Sequence, residues 1–173
     1  VITESKSGRE AFCSRVFVDA TGDADIAALA GVPYKKGRNG DGALQPMTLM
    51  FRLSGVDTAR IGDVGAAYVP PEVRAQAKDL VEKGELPMFG GPWTFWGSTF
   101  RPDEVMVNIV RLWGDTTDAD VLSEREATAR IQIRQFVRFL KDNFEPFRDC
   151  RLMDSGPQIG MRETRRIEGD YVL

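Results

Sequence analysis

The chain is 173 residues long, enough for about one globular domain with its own hydrophobic core, and its 23 Lys and Arg against 26 Asp and Glu leave a net charge of −3. That balance offers no basic footprint for nucleic acid. There is no histidine, which excludes a self-contained Ser/His/Asp or Cys/His catalytic unit, histidine ligation of zinc or haem, and a histidine pH switch.

In chain order, Val1 to Glu4 and Glu10 to Asp19 read as the arms of a β-hairpin around Ser5-Lys6-Ser7-Gly8-Arg9. The second arm carries the apolar run Val16-Phe17-Val18, stops at Asp19-Ala20-Thr21-Gly22-Asp23, and leads into a helix over Ala24 to Ala30 that ends at Gly31 with Pro33 beyond. Tyr34 to Gln45, rich in Lys and Gly, is expected to be a mobile loop and a module boundary. Met47, Leu49, Phe51 and Leu53 then alternate with Thr48, Met50 and Arg52 as in a half-buried strand. Pro70-Pro71 and Gly84 bracket a helix over about Glu72 to Lys83. Thr94 to Arg101 and Glu104 to Trp113 form a second hairpin.

Ser123 and Glu126 read as a capping box opening the longest helix, to Asn143, with Ile133, Phe136, Val137, Leu140 and Phe144 on its apolar face. Arg151 to Ser155 returns as a strand, and Ile159 to Leu173 is strand or loop. This order of hairpins and helices predicts an α/β fold, α+β mixed, with a mixed or antiparallel sheet and flanking helices.

Two stretches offer chemistry. In VFVDATGDAD (Val16 to Asp25) Gly22 lets a ligand approach the backbone, and the following helix start suits a phosphate. The same turn also reads as a plain strand-to-helix connection capped by Thr21 or Asp23, and a calcium site at Asp19, Asp23 and Asp25 lacks the EF-hand ligand spacing. In QIGMRETRRIEGDYV (Gln158 to Val172) Arg162, Arg165 and Arg166 crowd beside Glu163, as a carboxylate or phosphate grip or as a solvated edge strand with Arg165 on the opposite face from the other two arginines. The aromatics Phe89, Trp93, Phe95, Trp96 and Phe100 read as core. Cys13 and Cys150 read as structural thiols of a reduced, cytoplasmic compartment. No apolar run approaches the ~20 residues of a membrane span, so a soluble protein is expected. Because the sequence opens at Val1, inside an expected strand, it reads as an internal piece of a longer chain.

Taken in order, VFVDATGDAD, GALQPMTLMFRLSGVD (Gly42 to Asp57) and QIGMRETRRIEGDYVL resemble the FAD-dependent oxidoreductases of the two-domain, dinucleotide-fold kind. The resemblance implies remnants of a Rossmann-like FAD-binding domain at residues 1–40 and 156–173, with a substrate-covering module over 41–155. It makes Ala20, Thr21, Gly22, Asp23, Gln45 and Glu163 candidate cofactor contacts, and Arg162, Arg165 and Arg166 candidates for the substrate or flavin interface. It implies a parent enzyme passing hydride or electrons between a small-molecule substrate and FAD. The family's glycine-rich GxGxxG turn does not occur here, so the piece alone is expected to be inactive, to rely on the rest of the FAD-binding domain as its partner, and to self-associate as a homo-oligomer. The competing expectations are a stand-alone binding or interaction domain and a small-anion or nucleotide binding module.

Overall fold

The computed structural model describes residues 1–61, 71–87, 95–162 and 164–171. Its strands are β1 (Ile2–Ser5), β2 (Gly8–Ala11), β3 (Tyr34–Lys36), β4 (Phe51–Ser54), β5 (Phe95–Ser98), β6 (Val105–Asn108), β7 (Arg151–Ser155) and β8 (Arg165–Ile167). The helices are α1 (Asp25–Leu29), α2 (Pro71–Glu82) and α3 (Ala119–Asn143). Every ladder among these strands is antiparallel, and the mixture of helices and sheets is of the α/β class. Two compact units result, Val1–Gln45 with Arg162–Leu173, and Pro46–Met161.

In the first unit β1 and β2 form the expected hairpin, with Ile2 opposite Ala11 and Ser5 opposite Gly8. The second arm is shorter than expected. Its ladder ends at Ala11, and Val16, Phe17 and Val18 are 74%, 50% and 88% exposed and belong to no strand. An apolar run becomes a strand only where a neighbour takes its backbone groups, and no described strand runs beside this one. A second correction falls on Tyr34 to Lys36, which is not loop but β3, paired with β8 so that Tyr34 faces Ile167 and Lys36 faces Arg165. Its lysines read as polar loop because the partner strand lies near the other end of the sequence, beyond any local period.

The second unit is a four-stranded sheet in the order β5-β6-β4-β7. The alternation from Met47 to Leu53 is realised residue by residue. Met47, Leu49, Phe51 and Leu53 are buried, whereas Arg52 and Ser54 face the other side. On β6 Val105 and Val107 join the buried face and Met106 the opposite one. α3 covers the apolar face with Ala129, Ile133, Phe136, Phe139 and Leu140, each large side chain contributing about 1.5 to 3 kcal/mol by leaving water. α2 adds Ala77, with Leu80 and Val81 partly buried. It opens on Pro71, where the missing N–H costs no helix bond, and closes at Gly84, whose φ of 73° lets its N–H turn back to the Val81 carbonyl.

α3 begins four residues before the expected capping box. Asp118 is its N-cap, its carboxylate accepting from the N–H groups of Asp120 at 2.9 Å and Val121 at 3.1 Å. Glu126, read as the box partner of Ser123, lies inside the helix and instead accepts from the Ile159 N–H at 2.6 Å while pairing with Arg130. Asp118→Ala is therefore expected to cost about 1 kcal/mol, read as a shift in the urea midpoint, whereas Ser123→Ala should leave that midpoint in place.

Of the aromatic cluster, Phe100 is fully exposed rather than core, because it sits in the turn beyond β5. Phe89 and Trp93 lie outside the described residues, as do the side chains of Phe95 and Trp96. Cys150 is buried, and that burial pushes its thiol up. Cys13 is exposed. No helix among the described residues is long and apolar enough to cross a membrane.

Candidate functional site

In the first unit, stretches far apart in sequence are joined by side-chain bonds. The Asp19 carboxylate accepts from the Thr21 N–H at 2.8 Å, the Thr21 hydroxyl at 2.7 Å and the Ala27 N–H at 2.8 Å. Thr21 Oγ1 in turn accepts from the Asp25 N–H at 2.7 Å. The donors at the start of α1, which a phosphate would need, are thus engaged by Asp19 and Thr21. Of the two expected caps Thr21 serves and Asp23 does not. The buried Asp23 carboxylate reaches instead to the Thr164 N–H at 2.6 Å.

Arg165 completes this junction. Its Nη1 donates to the Asp23 carbonyl at 3.0 Å and to Asp25 at 2.6 Å, and the guanidinium lies over the Tyr34 ring at 5.4 Å from its centroid. With its side chain 14% exposed, Arg165 ties β8 to the start of α1. The other two arginines are exposed. Arg162 donates to Gln45 Oε1 at 3.0 Å, and Arg166 donates to the Gly37 carbonyl at 2.5 Å. Glu163 lies outside the described residues. Gly37, at φ 63°, is required where it stands, because a Cβ would overlap the Gly42 carbonyl. The loop it opens is closed by the Arg38–Asp41 pair, at 2.8 and 2.6 Å.

Ala20, Thr21 and Gly22 face solvent, and a Cβ built on Gly22 meets nothing within 4 Å. Just beyond, Ala24 holds a left-handed conformation at φ 53°, a strain of about 1 kcal/mol or more for a residue with a Cβ, at the point where the turn enters α1. The three carboxylates of a calcium reading are engaged elsewhere, Asp19 by Thr21 and Ala27, Asp23 by Thr164, and Asp25 by Arg165. Among the described residues no group of three or more potential ligands is placed to hold a metal ion.

The Thr21 hydroxyl first, and then the backbone N–H groups of Ala27 and Thr21, hold the Asp19 carboxyl below its ordinary value of 3.8. A carboxyl whose folded pKa lies below its unfolded one stabilises the fold above the unfolded value, and that contribution disappears as the pH falls through the folded value. Asp41, gripped by Arg38, and Asp154, gripped by Arg52, act in the same sense. Stability is therefore expected to fall on acidification below about pH 4, and Asp19→Asn should flatten part of that acid limb in urea titrations. An acid limb of unchanged slope would contradict it.

In the second unit the sheet face opposite the core is, among the described residues, partly exposed. There Arg52 grips Asp154 with two bonds, 2.9 and 2.5 Å, across the β4–β7 ladder, and Met106 stands opposite on β6. One step along, the Thr48 hydroxyl donates to Asn108 Oδ1 at 2.8 Å. The face therefore combines a paired guanidinium, a polar pair and a thioether. Sequence reading names Asp19 only as a calcium ligand and not as the acceptor that engages the start of α1, although the Asp-x-Thr spacing is a recognised turn signal. It placed Arg52 on the outer face of its strand without identifying its partner, which lies 102 residues away.

A helix start capped by its own turn and joined to an arginine-bearing strand, in a chain that also carries an antiparallel sheet, defines an α/β protein. A family model described as FAD dependent oxidoreductase matches residues 1–173, and the chain belongs to that family. No curated protein and no solved structure matches it. The family's cofactor is FAD. The residues present leave open space beside Gly22. They do not fit the FAD pyrophosphate at the start of α1, where Asp19 already engages the N–H groups and adds a negative charge.

Proposed function

We propose that this chain contributes the substrate-covering part of an FAD-dependent oxidoreductase, in which hydride or electrons pass between a small substrate and FAD. The pyrophosphate is held by a glycine-rich turn in another part of the same protein, and the chain alone is inactive. The observation that carries this reading is the meeting of the ATGD turn, Gln45 and the Arg162 to Arg166 stretch within one unit. The exposed apolar run Val16 to Val18 supports it as a strand awaiting neighbours from that other part. FAD supplies the redox chemistry when bound, and the protein contributes position and electrostatics. Thr21 and Gly22 present backbone to the cofactor. The partly exposed sheet face, with Arg52, Met106 and Asn108, faces the substrate, and Asp154 keeps the Arg52 guanidinium in one orientation.

The test is made in the full-length flavoprotein. Gly22→Val fills the open space over the turn without strain from a positive φ, and is expected to lower FAD occupancy about tenfold or more while leaving the apo-protein's melting temperature unchanged. Arg52→Ala is expected to keep FAD bound and to change the rate of flavin reduction by substrate. Full flavin content in the first variant together with unaltered reduction in the second would overturn the reading.

A further inference from the structure

Outside the surfaces used above, the second unit carries a groove of about 280 Å³ between α3 and the end of β7. Its floor is Val137 and Leu152, and its rim carries Arg134, Arg138, Lys141 and Asp142. The cations stand at i, i+4 and i+7, a single stripe of the helix. Arg138 shares its charge with Asp142 at 3.7 Å. Arg134 and Lys141 have no carboxylate within ion-pair distance among the described residues, and the positions three and four away from Arg134 are Arg130, Ile131, Val137 and Arg138. Such a row of like charges costs the helix a few tenths of a kcal/mol per pair, roughly, within a chain that is acidic overall.

Apolar surface accompanies the charge. Leu152 is 40% exposed in the groove, and Ile131, one turn before Arg134, is exposed as well. β7 ends the sheet, but its register slips at Met153, which stands unpaired between the Arg52–Asp154 and Leu53–Leu152 pairs. A bulged edge of this kind resists addition of another strand. The groove is instead built from side chains at helical spacing. A second copy of the chain would set cations against cations across a two-fold interface.

We propose that the groove between α3 and β7 binds an acidic amphipathic helix of a partner protein, its carboxylates facing Arg134, Arg138 and Lys141 and one apolar side chain seated on Val137 and Leu152. This is the helix-in-groove mode, with charge setting register and encounter rate.

The experiment titrates the full-length flavoprotein into a fluorescein-labelled synthetic helix bearing Glu at i, i+4 and i+7 and Leu at i+3, read by anisotropy. Saturable binding is expected, weakening with added salt, and falling about tenfold or more when Arg134, Arg138 and Lys141 are all replaced by Gln or when Leu152→Asp is introduced. The triple variant's melting temperature should stay close to the parent's, since the repulsion it removes offsets the lost Arg138–Asp142 pair and the lost Lys141 charge in the last turn, and a large fall would make the cations structural and overturn the proposal. Equal binding of a Gln-for-Glu control helix would also overturn it. So would absence of peptide binding, including the case in which vesicles containing phosphatidylserine bind instead and mark the stripe as a lipid contact.

Discussion

Phe136→Ala is expected to destabilise the second unit by about 3 to 5 kcal/mol, the largest effect of any single substitution considered. Phe136 is fully buried at the centre of the α3 face, between Ile133 and Leu140 along the helix, and the core it enters includes the equally buried Phe51 and Phe147. Truncation removes the transfer energy of the ring and leaves a cavity that a sheet on one side and a 25-residue helix on the other cannot easily close. The exposed ion pairs of α3, Arg130–Glu126 and Arg138–Asp142, are each worth too little to compensate, so the helix is held mainly by its packing. Urea unfolding followed by circular dichroism checks this. Phe136→Leu, which fills much of the space, should cost markedly less. A loss below about 1 kcal/mol for the alanine variant would mean that the core collapses around the gap.

Asp23→Ala is expected to cost about 1 to 3 kcal/mol in the first unit, because it strands the buried Thr164 N–H that the carboxylate accepts at 2.6 Å. Asp23→Asn keeps an acceptor oxygen at that position and should cost less. The specific readout is amide hydrogen exchange. Thr164 should lose its protection in the alanine variant and keep most of it in the asparagine one, while the amides of β4 and β6, whose bonds lie in the other unit, stay as they were. Retained protection at Thr164 would mean that its N–H is satisfied without Asp23.

Much of the second unit was legible before its structure. Strict alternation from Met47 to Leu53, the Pro and Gly brackets of α2, and the apolar positions of α3 are short-range patterns, and each describes which side of an element leaves water. The start of α3 was misread because two capping signals lie close together. Asp118 lies nearer the Asp115 turn and captures the first N–H groups, which leaves Ser123 and Glu126 inside a helix already begun. The Val16 to Val18 run was misread for a different reason, since β propensity states only that a segment would make a good strand and not that a neighbour is present.

The candidate site divides in the same way. By itself the sequence determined the family resemblance, the residue types of the ATGD turn, the arginine stretch and the outward side of Arg52, because those follow from local order and period. Only the tertiary structure decided that Asp19 occupies the α1 N-terminus, that Asp23 reaches Thr164, that Arg165 Nη1 holds Asp25 with the guanidinium over Tyr34, and that Arg52 is paired with Asp154. Hydrogen bonds and ion pairs depend on distances of about 3 Å between groups that can stand more than a hundred residues apart. Those distances are set by how β3 meets β8 and how β4 meets β7, pairings in which many segments of similar composition compete and only the packed chain selects one.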